Sequence, residues 1–211
     1  MIATRTCRIL LCSATLLLTG GAAVAQNTGG MPQQPTMPSQ QPQTSPGLGM
    51  PDSSAPTGQN FADQAFVAKA LAGGDAEVQL GRLAEQKTQS DDVKQFAQKM
   101  VSDHTQMGDK WFKPVAKQLG VAEPKGPDKK DKKLIAQLET LSGPQFDAEY
   151  IQAMVKNHRQ DLKNFTEEAQ ATQDPNVKQV AQQGGQIIQQ HLQLIEQIAK
   201  NHNVEVAGKG Q

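Results

Sequence analysis

Cysteine is nearly missing from this chain: of 211 residues only Cys7 and Cys12 carry a thiol, and both lie close to the start. Aromatic residues are also scarce, at 4%, with a single Trp and a single Tyr. No apolar run approaches the roughly twenty residues that a membrane-spanning helix requires. Charge of one sign is lacking too, because Lys plus Arg and Asp plus Glu number 21 each. That balance argues against nucleic acid and against an anionic membrane surface as partners. Also missing are a Ser-His-acid order and a phosphate-cradling glycine loop, so the sequence offers no foothold for hydrolase or nucleotide chemistry.

The thiols fall in a segment with the pattern of a secretory signal. Arg5 and Arg8 form a positive start, Ile9 to Leu18 a short apolar stretch, and Ala23-Val24-Ala25 a small-x-small cleavage pattern before Gln26. Cys12 lies too early, directly behind Leu10-Leu11, for a lipid-attachment site. Residues 1–25 are therefore expected to direct export and be removed, placing the mature chain in the periplasm or against the cell envelope. The mature chain would then have no disulfide, thiolate nucleophile or cysteine metal ligand. Loss of the two arginines would leave it with two more acidic than basic side chains.

Residues 26–59 consist of Gln, Pro, Ser, Thr, Gly and Met with almost no charge. Such a composition cannot bury enough apolar surface to offset chain entropy, and a disordered linker is expected there. Met31, Met37 and Met50 each precede a proline, and thioethers suit Cu(I), but so loose a spacing without His or Cys favours a plain spacer. Residues 60–203 are enough for one domain with its own core, and 204–211 are expected to form a flexible tail.

Beyond Phe61 the apolar residues recur with helical period and no stretch alternates as a strand would. The first helix is expected from about Phe61 to Lys87, loosened or bent at Gly73-Gly74. Ser90 with Asp91-Asp92 reads as the cap and acidic first turn of the second, which Pro114 would kink and Gly120 would end. A long connection follows, carrying a short amphipathic helix over about Lys132 to Leu141. The third main helix covers about Gln145 to Ala171, and Asp174-Pro175 opens the fourth. The fold class is all-α, a four-helix bundle with a long middle connection.

Four polar residues interrupt the apolar stripes, one on each helix: Glu77, His104, His158 and His191. At 1.5 Å per residue, Glu77 and His104 lie about 18–23 Å from the first hairpin turn. His158 and His191 lie about 23–27 Å from the second. All four therefore fall near the middle of helices about 40 Å long, whichever ends the turns occupy. Buried polar groups must find partners, so one acid and three imidazoles at one level form either a metal site or a closed hydrogen-bond network. As ligands they suit one transition-metal ion, Zn, Fe, Mn or Cu. Paired Glu-x-x-His motifs are lacking, since Val101, Val155 and Ile188 stand three residues before the histidines, and this disfavours di-iron chemistry. Asp103 and Asp161 turn off the stripes, and His202 reads as exposed. Asp147 and Tyr150 read as capping and packing the start of the third helix.

Several segments together carry a family resemblance. They are Ala76-Glu77-Val78-Gln79-Leu80-Gly81-Arg82-Leu83-Ala84, Phe96 to His104, and Leu141-Ser142-Gly143-Pro144-Gln145-Phe146-Asp147-Ala148-Glu149-Tyr150 with Met154, Val155 and His158, closed by His191-Leu192. In that order they resemble domain-of-unknown-function family 4142, and the likeness covers roughly Phe61 to Ala199. The resemblance implies an exported, ferritin-like bundle of the bacterial cell envelope and no established activity. Gly184-Gly185 stands where the family usually has a Leu-Pro pair, which brings the local geometry of the fourth helix into question.

Two functional readings follow. In the first, the chain is a non-catalytic, stress-related envelope protein that meets an envelope partner or a second copy of itself, and its polar core serves folding. In the second, it is a mononuclear metal-binding or metal-sensing protein with Glu77, His104, His158 and His191 as ligands. No catalytic residue and no organic cofactor is assigned.

Overall fold

The computed structural model describes residues 58–206, and the expectations for the signal, most of the linker and the last five residues lie outside this range. Among the described residues there is no strand, and six α-helices and one π-helical turn make up the fold. They are α1 (Gly58–Lys87), α2 (Asp91–Met107), a π turn (Gly108–Phe112), α3 (Lys113–Gln118), α4 (Lys129–Glu139), α5 (Gly143–Ala171) and α6 (Pro175–Asn201). None is long and apolar enough to cross a membrane.

Helices α1 and α2 form one hairpin and α5 and α6 another, and each uses the same turn chemistry. A buried threonine follows the first helix, and its hydroxyl accepts the backbone N–H two residues on: Ser90 to Thr88 Oγ1 and Asp174 to Thr172 Oγ1, both at 3.1 Å. Asp174 then caps α6, its carboxylate accepting the N–H groups of Asn176 and Val177 at 2.8 and 3.1 Å, as expected from Asp-Pro. Ser90 does not cap α2 with its side chain. Its hydroxyl instead donates to Asp147 Oδ2 at 2.9 Å, tying the first hairpin to the start of α5.

Around the bundle α1 contacts α2, α2 contacts α6, α6 contacts α5 and α5 contacts α1. The two turns lie at opposite ends. The end of α1 shares an apolar cluster with the start of α2, the start of α5 and the end of α6: Leu80, Phe96, Tyr150 and Ile195 meet there. A second cluster fills the other end, with Val67, Met107, Phe112, Phe165, Val177 and Ile188. Every neighbouring pair is therefore antiparallel, and the chain must cross the length of the bundle between α3 and α5, the ferritin-like connectivity.

That crossing is well anchored. Gly120, at φ +69°, ends α3 in a Schellman turn, with Val121 N–H bonded to Ala116 O at 2.8 Å. Asp128 caps α4 through Asp131 N–H at 2.9 Å, so α4 begins earlier than the sequence pattern indicates. At its far end Lys87 Nζ donates to the carbonyls of Glu139 and Leu141 at 2.6 and 2.8 Å. Asn203, at φ 52°, closes α6 in the same Schellman manner as Gly120, Val204 N–H bonding Ala199 O at 2.9 Å. Val204 and Val206 then pack on the first cluster.

Three local expectations change. Helix α1 runs through Gly73-Gly74 without interruption, because its flanking turns are held by burial of Leu71, Ala76 and Leu80. Pro114 does not act as a simple kink: a π turn precedes it, with Lys113 N–H reaching Gly108 O, which absorbs the hydrogen bond that proline cannot make. Helix α6 is likewise continuous at Gly184-Gly185, where the bare Gly184 accommodates the Phe165 ring.

Candidate metal centre

Glu77, His104, His158 and His191 are brought together, one from each main helix, between the two apolar clusters. Exposure is 5% for Glu77 and His104 and 0% for His158 and His191. The imidazole centroids form a compact triangle with sides of 5.3 Å (His104–His191), 5.5 Å (His158–His191) and 6.1 Å (His104–His158). Phe96 forms the ceiling, its ring edge-on to His158 and His191.

Each imidazole uses one nitrogen on a fixed partner and leaves the other unpaired. His158 Nδ1–H donates to Met154 O at 2.9 Å, so the lone pair is on Nε2. His191 Nε2 lies 2.8 Å from Asp103 Oδ2, which leaves Nδ1. His104 Nδ1 lies 3.1 Å from Glu77 Oε2, which leaves Nε2. Those remaining nitrogens, His104 Nε2, His158 Nε2 and His191 Nδ1, are buried and have no hydrogen-bond partner among the described residues. One nitrogen from each histidine can be chosen so that the three lie within 4.8 Å of one another.

Glu77 is positioned differently from the three imidazoles. It supports His104 through Oε2, while Oε1 stands 3.6 Å from His158 Nδ1, beyond a hydrogen bond, and is unpaired. Asp103, expected to turn away, instead reaches His191 across the α2–α6 contact and is itself held by Lys99 Nζ at 2.9 Å. The signal for Asp103 was its place beside His104, on the flank of α2 that faces α6. A ring nitrogen fixed by a carboxylate or a backbone carbonyl, with the opposite nitrogen free, is the outer-shell pattern of metal-ligating histidines.

The electrostatics suit neutral ligands. Burial pushes the His158 imidazolium down to about 3, helped by His191. Burial, then the neighbouring His158 and His191, holds His104 well below the usual histidine range. Burial also lowers His191, against the opposing pull of Asp103. All three are therefore neutral donors at neutral pH, the form that a metal needs. Burial, then the charges of Asp161 and Asp131, raises Glu77 well above an ordinary carboxyl. Burial raises Tyr150 as well, so its hydroxyl is a neutral phenol in the first cluster.

Three neutral imidazoles match Zn(II), Cu(II) and Fe(II), for which nitrogen ligands at about 2.0–2.1 Å are typical. Tetrahedral coordination at that length sets nitrogens about 3.4 Å apart, inside the 4.8 Å limit within which one nitrogen from each histidine lies. His202, expected to be exposed, is half-buried and paired with Asp92 Oδ1 at 2.9 Å, well apart from the centre. Asp147 does not cap α5, whose N-cap is Ser142 with no side-chain cap bond; its carboxylate is taken up by Ser90 of the first hairpin, while Tyr150 packs at the start of α5, stacked on Phe146 at 5.8 Å.

The fold is similar to that of a Streptomyces coelicolor protein of the DUF305 group, described as secreted, with a TM-score of 0.57 at 12% identity. The likeness covers 70% of this chain and 98% of that one. No curated protein shows significant sequence similarity. The profile of the family designated a domain of unknown function, DUF4142, matches residues 49–198, and the chain belongs to that family.

Proposed function

We propose that this chain is an exported, non-catalytic helical bundle that binds one transition-metal ion through His104, His158 and His191. Glu77 and Asp103 orient His104 and His191 from outside the ion's own shell. The observation that carries this reading is the set of three buried imidazole nitrogens without partners, each opposite a nitrogen that is fixed. Leaving three such atoms unpaired costs roughly 1–3 kcal/mol each, a cost that a shared cation removes. Glu77 supplies a compensating negative charge once a dication is present. The signal-like start of the sequence and the secreted DUF305 neighbour support export.

Elemental analysis of the untagged protein, purified and then loaded with Zn(II), Co(II), Cu(II), Fe(II) or Mn(II), tests the reading. One equivalent of metal is expected, lost in His104→Ala, His158→Ala and His191→Ala but retained in His202→Ala. A folded protein that binds none of these ions would overturn it.

A further inference from the structure

A buried centre needs a route from solvent, and the structure has an opening that reaches it. A cleft of about 330 Å³ lies against α1, the α2–π-turn junction and α5, and Glu77 and His104 are on its wall. At roughly 30 Å³ per water it has room for an ion with its first water shell. Three glycines border it: Gly73 and Gly74 in the middle of α1, and Gly108 at the head of the π turn.

These glycines are not there for close packing. A Cβ at Gly73 or Gly108 would meet nothing within 4 Å, and one at Gly74 only His104 Nδ1 at 4.0 Å. By contrast, a Cβ at Gly81 would stand 2.9 Å from Ala97 O, and one at Gly184 would stand 2.5 Å from the Phe165 ring. Poor helix formers placed inside helices without a packing reason leave the cleft wall bare beside His104. Four acids line the cleft, Asp75, Glu77, Asp109 and Asp161, beside three bases, Lys69, Arg82 and Lys113, and the buried Oε1 of Glu77 has no hydrogen-bond partner among the described residues.

From this juxtaposition we infer that the Gly73–Gly74–Gly108 cleft is the port through which a hydrated divalent cation reaches the three histidines, with Glu77 Oε1 as its last contact before them. The inference rests on the metal reading of the same centre. It adds a direction of approach and a residue that receives the ion. A carboxylate oxygen attracts the hydrated cation, and the imidazoles then replace its waters.

The test is the rate at which the metal-free full chain takes up Co(II), followed by its visible absorption in stopped flow. Gly74→Leu adds bulk to the cleft from α1, and Gly108→Leu adds it from the α2–π-turn junction should the first variant disturb His104. All donor atoms remain in both. Uptake is expected to slow by roughly tenfold or more, because access then depends on rarer openings, while the equilibrium Kd stays close to that of the wild type. Unchanged uptake rates in both variants would overturn the port while leaving the metal centre standing. Loss of affinity in both, with the rate intact, would also overturn it, since the side chains would then be damaging the site and not its approach. A wild-type chain that takes up no Co(II) overturns the metal reading and the port together.

Discussion

At the scale of single residues, the centre turns on which nitrogen each imidazole leaves free, and that is set by a neighbour. Asp103 fixes His191, so Asp103→Ala is expected to weaken metal affinity about 10–100-fold with the three histidines intact, measured by competition with a chromophoric chelator. Burial raises the Glu77 carboxyl well above its ordinary range, and a dication beside it would pull it back down. Metal binding is therefore expected to release a proton and to weaken as pH falls, which calorimetry in buffers of different ionisation enthalpy would measure. The metal-free protein has a second pH dependence. His158 titrates near 3 when folded and near 6.5 when unfolded, so the unfolded chain binds the extra proton between those values. Stability is expected to fall as pH drops from about 6.5 toward 3, and His158→Asn should flatten the decline in melting temperature. The histidines were legible in the sequence because a polar residue at a helical a/d-like position is conspicuous. The supporting roles of Glu77 and Asp103 were not, because they depend on side-chain directions across a helix contact that periodicity does not specify.

At the scale of helices, the same residue type does opposite work in different places. Gly184 is where the Phe165 ring enters α6, and Phe165 in turn stacks edge-on with Phe66 and Phe112 at 5.0 and 5.8 Å. Gly184→Ala is expected to destabilise by about 1–3 kcal/mol, whereas Gly73→Ala should stabilise by up to about 1 kcal/mol through helix propensity alone. Urea denaturation of the two variants would distinguish them, and equal effects would contradict this assignment. The four long helices were readable because each carries an apolar stripe over many turns. The uninterrupted course of α1 and α6 through paired glycines was not, since tertiary burial outweighs a local cost of about 1 kcal/mol per glycine. The π turn escaped for a similar reason: Pro114 signals a disturbance, but only the backbone shows that the chain widens before it.

At the scale of the whole molecule, the polar layer separates two apolar clusters, and an ion held there would join α2, α5 and α6 directly, with α1 tied in through Glu77 on His104. A ligand that binds only the folded state stabilises it by about 2.7 kcal/mol at a hundredfold excess over Kd. Saturating metal is thus expected to raise the melting temperature, and the rise should vanish in His158→Ala, as differential scanning calorimetry would show. The level of that layer could be read by counting residues from the turns, because a helix has a fixed rise. The arrangement of the hairpins could not, since the count is satisfied with both turns at one end or at opposite ends. The layer also acts as a vernier. Sliding any helix by one turn, about 5.4 Å, would drive its imidazole or carboxyl into hydrocarbon and strand the other three. The antiparallel rods can therefore mesh at a single longitudinal setting, although their aliphatic seams alone would tolerate several.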